Sequence, residues 1–275
     1  MTPPIILSIA GSDCSGGAGI QADIKTISAL GGYAASVISA VTAQNTLGVQ
    51  AVYPLPAPAV RTQIESVMDD LHPIAVKIGM VHDAAIVHAI AQCLRKYRPR
   101  FIVYDPVMIS TGGQHLMTEE TIQAVMEELF PLCTLITPNL GEASLLCGQP
   151  VSTIADMELA ARELSSRFDT SVLLKGGHLE GDEMCDILCM KSSPDTCRPH
   201  PSPDCLRYTD ARIESRNLHG TGCTLSSAIA TFLARGIELP EAVRSAKAYI
   251  STAIANGKDM HVGQGNGPLW HFPLP

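Results

Sequence analysis

The feature that most constrains how this chain folds is an alternation of short apolar runs with longer amphipathic segments. The runs IILSIA, AVKIG, FIVYD and SVLLK are bounded by Gly, Pro or Asp and read as strands. Helical patterns cover 18–30, 83–97 and 118–130. The period is clearest over 83–97, where Ile86, Ile90, Ala91 and Leu94 share one face. FIVYD precedes a proline and reads as a strand buried on both sides. Strands interleaved with helices imply a mostly parallel sheet covered by helices, an α/β architecture. With 275 residues, 46% of them hydrophobic, the chain can bury one large core. No linker, repeat or low-complexity tract divides it, so residues 1–275 are expected to form a single domain.

One stretch departs from this texture. Between Glu180 and Leu206, prolines 194 to 203 with Ser and Asp mark an irregular surface loop in which only ILCM looks like strand. The cysteines at 185, 189, 197 and 205 lack the paired spacing of a zinc site, and His72, His82, His88, His178 and His261 show no ligand spacing. The nine cysteines sit mostly in apolar segments such as AQCLRKY and PLCTLIT, which suits buried thiols in a reducing compartment. A formal charge of -8 without any Lys/Arg run argues against nucleic acid and favours a small-molecule partner. The N-terminus has no positive region before its apolar run, and no stretch is long and apolar enough to span a bilayer; a cytoplasmic protein is expected.

Several segments carry chemistry where strand gives way to loop. In AGSDCSGGAGIQAD a strand meets a glycine-rich turn before a helix, but the spaced third glycine and acidic partner of a dinucleotide fold are missing. In HGTGCTLSSAIATFL a glycine turn opens an apolar helix, so the amides of Gly220, Thr221 and Gly222 form a candidate anion hole for a phosphoryl group in transfer. Cys223 follows that turn; its thiol, lowered in pKa by the helix N-terminus, is a candidate base, and a small buried cysteine is the alternative. Asp105 ends the strand FIVYD, is followed by a Gly-rich loop, and can hold magnesium through water. Asn139 and Glu142 can present oxygens to a hydrated cation, or simply form a capping box. Lys175 precedes two glycines and can reach a nucleotide phosphate.

Taken together, GSDCSGGAGIQAD, SVISAVTAQNTLGVQ, KIGM, YDPVM, TPNLGEA, LLKGGH, HGTGCTLS and VGQGNGPLWHF resemble, in order and spacing, the hydroxymethylpyrimidine and phosphomethylpyrimidine kinase family of thiamin synthesis. The resemblance covers nearly the whole chain except about residues 181–207, an irregular insert longer than usual. It implies a ribokinase-like three-layer α/β/α sandwich and use of ATP and Mg2+. It also implies a homodimer, and phosphorylation of 4-amino-5-hydroxymethyl-2-methylpyrimidine and then of its monophosphate. By the same resemblance Gly11, Asp23, Gln44, Met80 and Val107 line the pyrimidine pocket. Asp105, Asn139, Glu142 and Lys175 serve ATP, with Asp105 and Glu142 toward the metal, and Cys223 stands at the catalytic position. The Gln44 amide suits the donor–acceptor edge of a 4-aminopyrimidine. Cys14 departs from the family, which usually has proline there; a looser loop follows, since proline pre-sets φ. The rival readings are a pyridoxine, pyridoxal or pyridoxamine kinase and a noncatalytic vitamin-binding protein.

Overall fold

The computed structural model of the protein describes residues 2–108, 117–177, 183–191 and 205–273. The apolar runs form one sheet. Its strands are β1 (Ile5–Asp13), β2 (Tyr33–Asn45), β3 (Gly48–Pro54), β4 (Ala75–Ile78), β5 (Phe101–Tyr104), β6 (Leu135–Ile136), β7 (Ser171–Leu174), β8 (Glu183–Cys189) and β9 (Cys205–Ala211). They lie in the order β3-β2-β1-β4-β5-β6-β7-β8-β9. The run β2, β1, β4, β5, β6, β7 is parallel throughout, and β3, β8 and β9 pair antiparallel to their neighbours.

Period-2 alternation sends side chains to both faces, and each face has its own core. On one side Leu7, Ile9, Val76, Ile78, Ile102 and Tyr104 pack with residues of α2 (Ala57–Asp70), α3 (Ala84–Tyr97), α5 (Leu140–Cys147) and α6 (Ile154–Phe168). On the other, Ile6, Ala75, Val103, Leu135 and Leu173 pack with residues of α1 (Gly19–Ala29), α7 (Thr221–Ala234) and α8 (Leu239–Gly257). This is the expected three-layer α/β/α sandwich. The face of α3 is as read: Ile86, Ile90, Ala91 and Leu94 are buried, and the Asp83 side chain caps its N-terminus by accepting from the Ile86 amide.

Two segments differ from expectation. The helix expected over 118–130 starts as α4 (Glu119–Ala124), widens into a π-helical turn over Val125–Leu129 and ends as a 3-10 turn over Phe130–Leu132. Pro131 lies in that last turn, where a regular helix would need the amide it lacks. The segment 180–206 is less irregular than its prolines suggest, because β8 is longer than ILCM alone and β9 begins at Cys205. Cys185, Asp186, Ile187, Leu188 and Cys189 of β8 are all buried. The prolines 194 to 203 and Cys197, like His178 and the Gly-rich loop after Asp105, lie outside the described residues. Nor are all the thiols free: Cys189 and Cys205, directly paired across β8 and β9, form a disulfide. Among the described residues no group of side chains has a metal cluster's arrangement, and no helix is long and apolar enough to cross a membrane.

Candidate active site

A parallel sheet delivers the carboxyl ends of its strands to a single edge, where α/β folds place ligands. Reading that edge in sheet order gives Gln44 on β2, Gly11 and Asp13 on β1, Met80 after β4, Asp105 and Val107 after β5, Asn139 after β6 and Lys175 after β7. Residues far apart in sequence therefore form one row.

The phosphoryl end of the row is built around Asp105. Its carboxylate is buried, and Oδ1 accepts from Thr137 Oγ1 at 2.9 Å and from Lys175 Nζ at 2.6 Å. Lys175 is thus drawn to Asp105 rather than free, and although burial works against its charge, Asp105 and Glu142 hold its pKa above the usual lysine range. The other oxygen, Oδ2, faces the glycine turn: a Cβ on Gly222 would sit 2.9 Å from it and 3.5 Å from Lys175 Nζ. Gly220 has φ +87°, and a Cβ there would lie 2.0 Å from the carbonyl oxygen of Gly17, so only glycine lets this turn rest on the N-terminal loop.

The anion hole is narrower than expected. The Thr221 amide donates back to the Leu218 carbonyl at 3.3 Å, so it is spent within the turn rather than held for a phosphate oxygen. Asn139 and Glu142 do form a capping box, in which the Asn139 side chain accepts from the Glu142 amide and Glu142 Oε2 accepts from the Asn139 amide. Capping and ligation are not exclusive, because among the described residues Glu142 Oε1 holds only a long 3.4 Å bond from the Met108 amide. Burial pushes the Glu142 carboxyl up to about 7, against the opposing charge of Lys175.

Cys223 corrects the expectation of a lowered thiol. Burial raises its pKa to about 11, and neither Lys77 nor the Gly19 amide offsets that. The reason lies beneath it. One helical turn on, Ser227 Oγ donates to Asp23 Oδ1 at 2.8 Å, Ser8 Oγ donates to Oδ2 at 2.6 Å, and Lys77 Nζ reaches both oxygens at 2.8 and 2.9 Å. Lys77 and Asp23 are fully buried. Asp23 therefore does not line a pocket wall as expected; every lone pair it has is engaged within the core. Lys77 was missed because AVKIG reads only as a strand, and the signal for it was the single cation inside that apolar run.

At the other end of the row, Gly11 is buried with Met80 Cε against its Cα, and Met80 and Val107 are half-buried. Cys14 ties its loop to β2: its thiol donates to the Gln44 backbone carbonyl at 3.1 Å and accepts from the Gln44 backbone amide at 3.3 Å. His219 and Asp13, both inside motifs already singled out, meet at 2.8 Å in a hydrogen bond that sequence reasoning left unassigned.

A row of carboxylate, ammonium and helix-terminal amides on the carboxyl edge of a parallel sheet is the arrangement of a small-molecule phosphotransferase. The profile of the phosphomethylpyrimidine kinase family matches residues 13–270, and the chain belongs to that family. It is 48% identical over 269 residues to the hydroxymethylpyrimidine/phosphomethylpyrimidine kinase of Rhizobium meliloti, covering 98% of this chain and 97% of that one. Among solved structures it is similar to a phosphomethylpyrimidine kinase from Clostridium difficile, with TM-score 0.78, 44% identity and coverage of 91% and 99% of the two chains. It is also similar to an ADP complex of a Bacillus subtilis pyridoxal kinase, with TM-score 0.86, 33% identity and 98% coverage of both.

Proposed function

We propose that this kinase transfers the γ-phosphoryl group of ATP to the hydroxymethyl oxygen of 4-amino-5-hydroxymethyl-2-methylpyrimidine, and then a second to the resulting monophosphate, giving the diphosphate used in thiamin synthesis. The observation that carries it is the Asp105–Lys175 pair lodged against Gly222 in the turn that opens α7. In each transfer the acceptor oxygen bonds to phosphorus as the bond to the ADP oxygen breaks. Negative charge spreads over the equatorial oxygens, and the Gly220 and Gly222 amides at the positive end of α7 are fixed to receive it without reorganising. Lys175 supplies a point charge to the same phosphate. Gln44, Gly11, Met80 and Val107 hold the pyrimidine, and Asn139 positions Glu142.

The residues fit a magnesium ion. Asp105 Oδ2 has no hydrogen-bond partner among the described residues, Glu142 Oε1 is weakly held, and two hard oxygens with phosphate and water suit this cation. When bound, it would neutralise phosphate charge during transfer. The thiolate form of Cys223, which grows as pH rises, takes the first acceptor's proton and becomes the thiol. That proton leaves an alcohol in the first step, whereas the second acceptor is a phosphate oxygen already ionised.

A pyridoxal kinase is the second reading, favoured by the structural likeness to that enzyme. The test is purified protein with ATP, magnesium and either the aminopyrimidine or pyridoxal, following ADP release and product mass. Phosphorylation of pyridoxal alone replaces the main reading, and turnover of neither removes both. The reading includes a cytoplasmic homodimer. The support for the dimer is the exposure of Leu47 and Tyr53 at the β3 edge of the sheet, and sedimentation velocity checks it.

A further inference from the structure

Asp13 ends β1 and His219 opens the glycine turn, and neither has a role in the transfer just described. Asp13 is 3% exposed. Oδ1 accepts from the Ser15 amide at 2.8 Å and the Ser15 hydroxyl at 2.7 Å. Oδ2 accepts from the amides of Gly17 at 3.2 Å and Ala18 at 2.8 Å. His219 Nε2 lies 2.8 Å from the same Oδ2 and 3.1 Å from the Gln44 side-chain nitrogen. The far end of that amide, Oε1, lies 3.1 Å from Thr42 Oγ1, whose one proton goes to the Ser12 carbonyl at 3.0 Å.

A carboxylate that accepts this many hydrogen bonds is ionised. Burial works to raise the Asp13 pKa, but the bonds from His219 and Ser15 outweigh it and hold the group below the usual carboxylate range. An ionised carboxylate only accepts, so His219 Nε2 carries its proton and presents a donor in the direction shared with Gln44. Which end of a side-chain amide faces a given neighbour is decided by its hydrogen-bond partners. With its nitrogen toward that ring N–H the amide sets two donors 3.1 Å apart; turned over, Oε1 accepts from His219 and Nε2 donates to Thr42 Oγ1, so these two partners fix one orientation of Gln44. Each end keeps a second position: the oxygen has another lone pair and the nitrogen another hydrogen. Those positions form a donor–acceptor face, and turning the amide over exchanges them.

We propose that Asp13 and His219 are positioning residues that lock the orientation of the Gln44 amide, and that this lock selects a 4-aminopyrimidine over its 4-oxo counterpart. The two substrates have reversed edges. The 4-amino ring offers an acceptor nitrogen beside an amino donor, and the 4-oxo ring an N–H donor beside a carbonyl acceptor. A freely turning amide serves either edge; a locked one leaves the wrong edge with two unmatched polar pairs. The inference rests on the proposed role of Gln44.

The experiment measures kcat/KM with ATP for the 4-amino alcohol and its 4-oxo analogue in the native enzyme and in Gln44→Ala, His219→Phe and Asp13→Asn. His219→Phe keeps a ring against Gly17, whose added Cβ would meet the imidazole at 2.4 Å, but removes both nitrogens. The amino-to-oxo preference should fall about tenfold or more in His219→Phe and Asp13→Asn and vanish in Gln44→Ala. General damage to the neighbouring turn slows both substrates alike and leaves the ratio unchanged, so an unchanged ratio in the His219 and Asp13 variants, with loss in Gln44→Ala, overturns the lock. A ratio that survives Gln44→Ala removes the Gln44 reading itself. If the aromatic swap does not fold, His219→Asn, too short to span Asp13 and Gln44, reads the same ratio.

Discussion

At the scale of single residues, the two glycines of the HGTGC turn have separable jobs. Gly220 serves the fold: with φ +87° and the Gly17 carbonyl where its Cβ would go, Gly220→Ala should cost about 1–3 kcal/mol or more, read as a lower urea midpoint. Gly222 serves the chemistry. Its added methyl would press on Asp105 and only touch Lys175, so Gly222→Ala should fold yet lose about tenfold or more in kcat, because a small displacement of reacting groups is costly. Cys223 has a third signature. With its thiol pushed up to about 11, the deprotonated form grows as pH rises, and the rate of the first phosphorylation should rise with it while the second stays flat. Cys223→Ser should depress the first step more than the second in separate kinetics on the alcohol and its monophosphate. Equal losses would remove the thiol from the proton path.

Between elements, one buried contact ties α7 to the sheet and another ties it to the C-terminal segment. Lys77 on β4, Asp23 on α1 and Ser227 on α7 meet in a desolvated knot. Lys77→Met would strand the Asp23 carboxylate and should cost about 3–5 kcal/mol, whereas Lys77→Met with Asp23→Leu should recover much of it. Denaturant unfolding of the single and double variants checks this. Three residues before Ser227, Thr224 Oγ1 lies 3.0 Å from His271 Nε2, and Tyr249 donates to the His271 carbonyl at 2.7 Å. Burial pushes the His271 pKa down to about 4. Between the ordinary value near 6.5 and 4 the unfolded chain binds a proton that the folded one does not, so stability is lost as pH falls through that window. The loss should reach about 2–3 kcal/mol. His271→Phe should flatten it when unfolding at pH 7 is compared with pH 4.5.

For the whole molecule, the antiparallel end of the sheet carries its own tie. β8 and β9 extend past the parallel strands, and the Cys189–Cys205 bridge closes a separation of 16 residues. A loop of that size stabilises by about 3 kcal/mol in the chain-entropy account. Reduction should therefore speed hydrogen exchange over Glu183–Cys189 and Cys205–Ala211 while leaving β1, β4 and β5 protected. The hairpin is also joined to the active edge: Asp186 Oδ1 accepts from the Gly176 amide at 2.8 Å, next to Lys175, and Oδ2 pairs with Lys247 of α8 at 2.6 Å.

The parallel sheet, its helices and the edge that carries the site were legible in the sequence because they depend on local patterns. Apolar runs, the 3.6 period of α3 and glycines at strand ends need no partner to be recognised. Asp105, Lys175, Gly220 and Gly222 could be named for the same reason, since strand-to-loop transitions place them. Lys77, Asp13 and His219 could not, and neither could the burial of Asp23 or the raised Cys223 thiol. A side chain's proton affinity and its partners depend on which distant segments close over it, 54 positions away for Lys77 and Asp23 and 206 for His219 and Asp13. The sequence by itself determined that a parallel sheet would carry its functional groups on one edge. Only the tertiary structure decided which of them face a ligand and which are spent on one another, because desolvation and pairing arise when the layers meet.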